Sequence, residues 1–358
     1  MNIESLESFT REVNQIREYL KHIQYVNDLT AYALLENDNE QIKKLLNTLK
    51  EHDRRFRIDR RIFEYKASII SLYGVLEKYI EIWIKEYLES LCRIVPEYNQ
   101  IDEKIRDNHF ELSLKLINTI TTRESAKYQH LTKEKVLKNL NECIVNPTKY
   151  QINADAFVLL SGNLKHNKIV ELFNKLSLDL NDELLKNEEL NNEIGLTREK
   201  ISRTAKDILY NKINDLVERR NEIAHGSEKL IEEYRLLDIY ELEAYIQFLE
   251  KYCQAVFQTL FEQLIKNESI HSFQKIENVI QIFGSKVLAF EIENYTIKVG
   301  DILIIETKEG RFYKKPILTI QKDNISYIEP LRVTEKIKIA VSVEPKIKDN
   351  HTFYILKK

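Results

Sequence analysis

Three side chains in the second half of the chain, Arg220, Asn221 and His225, have the types and the spacing for chemistry on a phosphodiester. Asn221 and His225 share one face of a helix, and the long Arg220 side chain can reach the same place. An imidazole can take or give a proton, a guanidinium can hold a phosphate by two parallel hydrogen bonds, and an amide can orient either group. This chemistry needs no metal ion or cofactor, and we predict none.

The residue after His225 predicts where this helix ends. Gly226 is the usual residue type just beyond a helix, where the backbone turns left-handed. His225 would then lie at the carboxyl end, where the helix dipole favours imidazolium. A structural interpretation is the alternative: Arg220 pairs with Glu218 or Glu222, and His225 only caps the helix.

The string RNEIAHG at residues 220–226 resembles the active-site motif of the HEPN superfamily, in which an Arg, usually followed by a polar residue, precedes a His. Its last three residues are similar to those of RiboL-PSP and MAE-type members. The resemblance covers residues 1–270 in outline, including the segment from Tyr65 to Leu91 and the segment around Ser161 to Leu164. It implies a mainly α fold, a HEPN-like helical bundle with a helical insertion.

The same resemblance implies a metal-independent endoribonuclease in which the ribose 2′-hydroxyl is the nucleophile. His225 would transfer protons, Arg220 would stabilise charge on the phosphate, and Asn221 would orient the imidazole or the phosphate. A homodimer, an RNA target such as tRNA, and a role in antiviral defence or as a toxin are further implications. The rival hypothesis is a non-catalytic HEPN scaffold that binds RNA or a partner protein.

A long amphipathic helix is predicted before the motif. Its apolar residues at helical spacing are Ile69, Leu72, Leu76, Ile80, Trp83, Tyr87 and Leu91. Glu77 lies roughly 80° from the centre of that stripe, at the edge of the core. HEPN proteins commonly place an acidic or polar residue on this helix, so the resemblance makes Glu77 a candidate for orienting Arg220 or His225. A solvated glutamate is the alternative.

A row of arginines precedes that helix stripe. Arg54, Arg57 and Arg61 lie along one helical face, and such a row could follow an RNA backbone. Nearby carboxylates leave the opposite interpretation open, because they could neutralise several of these arginines as surface pairs. These carboxylates are Glu51, Asp53, Asp59 and Glu64.

Glycine, proline and β-prone residues divide the chain into a helical domain at 1–275, with a helical insertion at 97–196, and a small C-terminal β-barrel-like domain at 285–358. The β-prone runs are 287–292, 301–306, 312–320, 325–328, 337–343 and 353–356. The β domain carries 14 Lys and Arg against 10 Asp and Glu, which permits contact with RNA or an acidic regulatory protein.

Three local features complete the prediction for the helical domain. Asn163 is expected to be the N-cap of a helix, and Asn181 to Asn192, an acidic and Asn-rich stretch, is expected to be a solvated loop. The helix that carries the motif is expected to begin near Thr197. A last long helix, from about Leu236 to Leu264, would close the bundle.

Composition narrows the class of protein. A hydrophobic content of 43% with 31% charged residues is typical of a folded, helical, highly charged chain. The three cysteines are isolated, which disfavours a disulfide framework or a zinc knuckle, and no phosphate loop, dinucleotide fingerprint or zinc-protease motif is found. No apolar run approaches membrane-spanning length and the amino terminus has no leader pattern, so we expect no membrane partner and a cytoplasmic location.

Overall fold

The computed structural model describes residues 1, 3–32, 40–122, 126–159, 162–195, 210–226, 236–323, 325–344 and 346–357. Within these ranges the chain forms ten α-helices and then eleven strands. The helices are α1 (Ile3–Tyr32), α2 (Glu40–Ile94), α3 (Glu103–Thr122), α4 (Lys133–Val145), α5 (Ala154–Phe157), α6 (His166–Lys175), α7 (Leu180–Leu185), α8 (Glu188–Glu193), α9 (Asn211–Ala224) and α10 (Ile239–His271). The predicted mainly α fold with a C-terminal β region is confirmed.

Helix α2 contains the predicted amphipathic helix and begins well before it. All seven apolar residues of the predicted stripe are buried, so the stripe is core. Helix α1 packs along α2, where the Phe9 ring lies 5.4 Å from both Tyr79 and Trp83. Trp83 also meets Phe257 of α10 at 5.3 Å, so these aromatic rings join three helices at one point.

The predicted loop at 181–192 is wrong, because α7 and α8 occupy it. Each short helix buries leucine, with Leu184 and Leu190 fully enclosed. Each also has an amino-terminal cap: Asp179 accepts the backbone N–H of Asp182 at 3.2 Å, and Asn187 accepts that of Leu190 at 3.0 Å. Asn187, one of the residues that suggested a loop, therefore serves as a helix cap. The predicted helix start near Thr197 lies outside the described residues.

The strands form three antiparallel sheets. They are β1 (Phe273–Lys275), β2 (Val279–Phe283), β3 (Val287–Ile292), β4 (Tyr295–Ile297), β5 (Ile302–Glu306), β6 (Phe312–Pro316), β7 (Thr319–Lys322), β8 (Ile325–Tyr327), β9 (Leu331–Val333), β10 (Ile337–Ser342) and β11 (Thr352–Leu356). The strand orders are β1-β11-β5-β6, β2-β3-β10-β7-β8 and β4-β9. Alternate residues of all three sheets share one core, which includes Leu288, Ile297 and Phe353.

The described chain divides into two compact units. One consists of Met1–Glu86 and Ala154–Phe257, and the other of Tyr87–Asn153 and Gln258–Lys358. The chain changes from helix to strand between His271 and Phe273, and the limits 1–275 and 285–358 stay a prediction as domain boundaries. Among the described residues, no helix is both long and apolar enough to cross a membrane.

Candidate functional site

The motif residues lie at the end of α9, as predicted. The last helical residue is Ala224, and the backbone N–H of His225 donates to the carbonyl of Asn221 at 2.9 Å. Gly226 follows with φ of 63°, a left-handed conformation that side-chain-bearing residues rarely adopt. The glycine therefore ends the helix and fixes the direction in which the chain leaves His225.

A hydrogen-bonded cluster around Arg219 anchors α9 to its neighbours. Arg219 Nε donates to Asp215 at 2.8 Å and its Nη1 donates to the Tyr65 hydroxyl of α2 at 3.0 Å. The Tyr245 hydroxyl of α10 also donates to Asp215. Burial alone would lower the pKa of Arg219, but its bonds to Asp215 and Tyr65 outweigh burial and raise it. Arg219 is therefore a structural residue that holds three helices together.

The next residue, Arg220, has different surroundings. Its guanidinium carbon lies 4.8 Å from the centre of the Tyr73 ring, a cation–π contact with α2. Its Nη1 donates to the side-chain oxygens of Asn163, at 3.3 Å, and Asn221, at 3.2 Å. The Tyr73 hydroxyl accepts the backbone N–H of Leu164 at 3.2 Å. Two consecutive residues before α6 are thus hydrogen-bonded at the site, Asn163 to Arg220 and Leu164 to Tyr73.

This arrangement leaves one edge of the Arg220 guanidinium open. Both Nη1 hydrogens are used, and among the described residues neither Nε nor Nη2 has a hydrogen-bond partner. The described residues also give Arg220 no ion pair, and Glu218 pairs instead with Lys165 at 3.0 Å. The alternative interpretation that Arg220 pairs with Glu218 is therefore wrong. Two parallel donors remain on a half-buried cation, the geometry that holds a phosphate or carboxylate.

Asn163 is not a helix N-cap, which corrects the prediction. Helix α6 begins at His166 after Lys165, whose side chain makes no capping hydrogen bond. At the amino-terminal end of α6 the Asn214 side chain instead accepts the His166 backbone N–H at 3.0 Å. The Asn163 side-chain oxygen is thus available for Arg220. Ser161, named with it in the sequence, lies outside the described residues.

Glu77 lies half-buried on α2, one turn after Tyr73. Burial raises the pKa of Tyr73, the Leu164 N–H lowers it, the Glu77 carboxylate raises it and the Arg220 guanidinium lowers it. Glu77 and Arg220 therefore both lie close enough to influence the same phenol. Their shared neighbour is consistent with the predicted grouping, while the role of Glu77 stays a prediction.

His225 is exposed at the helix end. In the part of the chain that the structure describes, its imidazole has no hydrogen bond or ion pair. The Asn221 side-chain oxygen points to Arg220 rather than to the imidazole. The structure thus brings Asn221 and Arg220 together and leaves the imidazole of His225 open to a ligand.

The arginine row (Arg54, Arg57 and Arg61) lies exposed on α2. The neighbouring acids bind other arginines: Glu51 pairs with Arg55, while Asp53 and Glu64 pair with Arg60. Over the described ranges the row forms no ion pair, and Arg61 donates only to the backbone carbonyl of Leu236 at 3.5 Å. Three of the four carboxylates that left the sequence interpretation open therefore pair with Arg55 or Arg60, and the fourth, Asp59, forms no ion pair within the described ranges.

Two contacts of the site were not predicted from the sequence: that of Tyr73 with Arg220 and that of Asn163 with Arg220. Tyr73 precedes Glu77 by four residues, so a search for polar or aromatic groups one turn from Glu77 would have found it. The contact of Asn163 with Arg220 had no such signal, since it depends on how the segment before α6 crosses α2 and α9.

The helical part of the chain thus places Arg220 and His225 at the end of α9, with Arg220 packed against Tyr73 of α2. The family model described as RiboL-PSP-HEPN matches residues 34–262, more than half of the chain, and the chain belongs to this family. The match includes α2 and α9, and therefore the whole candidate site. No curated protein matches the chain. Family membership suggests an RNA-related function.

Proposed function

We propose that this protein is a metal-independent endoribonuclease whose site consists of Arg220, His225 and Asn221, with Glu77 as a positioning residue. The observation that carries the proposal is the open edge of Arg220, a half-buried guanidinium without an ion pair among the described residues, in the same helix end that carries the exposed His225. A phosphate would accept two parallel hydrogen bonds from Nε and Nη2. The Tyr73 ring and the Asn163 oxygen hold the guanidinium in that orientation.

The reaction would be an in-line attack of a ribose 2′-hydroxyl on the adjacent phosphorus. The 2′-oxygen loses its proton and bonds to phosphorus, the bond to the 5′-oxygen breaks, and that oxygen gains a proton. The products are a 2′,3′-cyclic phosphate and a 5′-hydroxyl. Arg220 stabilises the charge that develops on the phosphate, and an imidazole transfers one of the two protons. A second copy of the chain would supply a second imidazole, which is our reason for including a homodimer in the proposal.

The surface of α2 supports self-association. Four large apolar side chains with a strict seven-residue period, the heptad stripe, are 37 to 65% exposed: Leu49, Phe56, Phe63 and Ile70. This stripe extends over about 30 Å of helix. A seven-residue apolar period packs against another helix with the same period, and a two-fold dimer needs one patch that is complementary to itself. Glu77 is the next residue in the period, so the stripe leads to the candidate site.

The test is RNA cleavage by purified protein in EDTA, with total RNA and a DNA of matched sequence, for the wild type, Arg220→Ala and His225→Ala. We expect cleavage that survives chelation, leaves 5′-hydroxyl ends, spares DNA and is lost in both variants. A wild type that stays inactive across RNA pools, while both variants still bind RNA or a partner protein, would establish the non-catalytic scaffold instead.

Family resemblance is the support for the biological part of the proposal, which is a role in antiviral defence or as a toxin acting on RNA such as tRNA in the cytoplasm. Growth arrest on expression of the wild type, absent with Arg220→Ala at equal protein level, is the expected result. Sequencing of 5′-hydroxyl ends from the arrested cells would identify the RNA that is cut. The β domain is the candidate surface for selecting that RNA or for binding a regulatory protein.

A further inference from the structure

We propose that a groove beside the candidate site binds single-stranded RNA by stacking its bases on two tyrosines. The groove is lined by α1, α2 and the start of α10 and has a volume of about 970 Å³. We call it the basic groove. The lining residues that could contact RNA are Lys50, Arg54, Arg57, Arg61, Tyr25 and Tyr240. The proposal rests on the proposed function for the identification of the ligand as RNA.

The positive charge of the basic groove is available to a ligand. Four of its cations, Lys50 and the arginine row, have no ion pair among the described residues, while Arg60 in the same wall is bound by Asp53 and Glu64. Two further carboxylates line the groove. One of them, Asp238, accepts the backbone N–H of Glu241 at 2.8 Å and so caps α10, and the other is Asp28. The lining holds five cations against four carboxylates, a net charge of +1, and the four cations without an ion pair among the described residues can bind a phosphate backbone.

The two tyrosines make the groove suitable for unpaired bases. Tyr25 on α1 is 69% exposed and Tyr240 on α10 is 78% exposed, and both border the same groove. A large aromatic ring left in water beside arginines is a platform on which any base can stack. A duplex hides its base faces, so it would gain from the arginines but not from the tyrosines. The aromatic rings thus favour the binding of single-stranded RNA over that of a duplex.

The groove and the motif are physically connected. Tyr65 lines the groove, and its hydroxyl accepts a hydrogen bond from Arg219, the residue before Arg220. Along α2, Lys50 and Tyr73 are separated by about 35 Å, which corresponds to about ten stacked nucleotides. A strand bound in the groove would therefore be long enough to place a neighbouring phosphodiester at Arg220. The heptad stripe lies on a different face of α2, roughly 140° away, and does not compete for this surface.

The experiment uses the full-length protein and a fluorescent 2′-O-methyl RNA of about ten nucleotides, matching the span along α2. This probe lacks the nucleophilic hydroxyl, so wild-type protein binds it without cutting it. Binding is measured by anisotropy for the single strand and for the same strand annealed to its complement. We expect the single strand to bind at least tenfold more tightly, and Tyr25→Ala or Tyr240→Ala to weaken it about tenfold.

Two controls separate stacking from a loss of structure. Tyr25→Phe and Tyr240→Phe keep the rings and should bind as the wild type does, and Tyr19→Ala removes an exposed tyrosine of α1 that lies outside the groove. Replacing the arginine row by alanine should reduce the slope of log affinity against log salt by about 2. Equal binding of strand and duplex, or unchanged affinity in both alanine variants, would overturn the proposal.

The outcome is independent of the nuclease test. Stacking-dependent binding by a protein that cuts no RNA would keep the groove and remove the proposed reaction. Cleavage with an unchanged KM in Tyr25→Ala and Tyr240→Ala would keep the reaction and remove the groove.

Discussion

The guanidinium of Arg220 lies over the ring of Tyr73, with 4.8 Å between the guanidinium carbon and the ring centre. This contact fixes the plane of the guanidinium, and the hydrogen bond to Asn163 fixes its rotation in that plane. The open edge then has one direction, which is what a site for a phosphate requires. The two adjacent arginines therefore differ in their contacts: Arg219 is hydrogen-bonded to its neighbours and holds helices together, whereas Arg220 keeps one edge open for a ligand.

That assignment gives a first prediction from a matched pair of variants. Arg220→Ala should lower kcat/KM for RNA by a factor of about 100 to 1,000, since it removes a charge stabiliser at the reacting phosphate. Its melting temperature should stay close to that of the wild type. Arg219→Ala should show the reverse, with a free energy of unfolding lower by about 2 kcal/mol and residual activity in proportion to folded protein. Steady-state kinetics and urea denaturation on both proteins measure the two quantities, and similar kinetic losses in the two would contradict the assignment.

A second prediction concerns the orientation of Arg220. Asn163→Asp is nearly isosteric, but its carboxylate would pair with the guanidinium and neutralise the charge offered to a phosphate. We expect weaker RNA binding and a rise in KM while the thermal unfolding midpoint is maintained. Glu218→Gln, which breaks only the exposed pair with Lys165, is the control and should change neither. An unaltered KM in Asn163→Asp would show that Asn163 does not position Arg220 for substrate.

The sequence predicted the long helices and the motif because both depend on local periodicity. The apolar stripe of α2 and the glycine stop at Gly226 are examples, since spacing alone fixes the buried face and the helix end. Short elements were not predicted, because they contain too few residues to show a period. Helices α7 and α8 have six residues each, too few for an apolar period, and their formation depends on the caps Asp179 and Asn187.

The strands also divide into those that were predicted from the sequence and those that were not. The predicted β-prone runs correspond to β3, β5, β6, β7, β8, β10 and β11, while β1, β2, β4 and β9 were missed. Three of the missed strands have only three residues, so alternation cannot be recognised in them. The site follows the same rule, because Tyr73 and Asn163 meet Arg220 through tertiary packing that no local pattern records.

A third prediction concerns acid stability. His109 is buried, its Nε2 accepts the Asn153 backbone N–H at 2.9 Å, and its Nδ1 lies 3.0 Å from the Tyr98 hydroxyl. A protonated ring could not accept from Asn153, and burial lowers the pKa of His109 from 6.5 to about 4. Below pH 6.5 the unfolded chain binds a proton that the folded chain refuses until about pH 4. His109 therefore costs stability progressively as the pH falls through this range, by up to about 3 kcal/mol.

The free energy of unfolding is measured by urea denaturation at pH 7.5 and at pH 5. Hydrogen exchange of α3 amides at the same two pH values is a second measurement of the effect. The variant His109→Gln should lose less stability between the two pH values than the wild type does, although it starts from a lower value at pH 7.5. His130→Gln, at an exposed position in the same unit, is the control. A pH dependence in His109→Gln equal to that of the wild type would place the acid sensitivity elsewhere.

The heptad stripe gives the last prediction. Phe63→Glu puts a charge on its most exposed member, 65% accessible to solvent, and should convert a dimer into a monomer in light scattering without lowering the melting temperature of the subunit. Ile58→Glu is the matched control, because Ile58 is 74% exposed on the same helix but lies outside the seven-residue period. If two imidazoles are needed, the Phe63→Glu monomer should lose RNA cleavage while keeping the binding of a 2′-O-methyl strand. A monomeric wild type with full activity would show that one His225 is enough and that the stripe binds something other than a second copy.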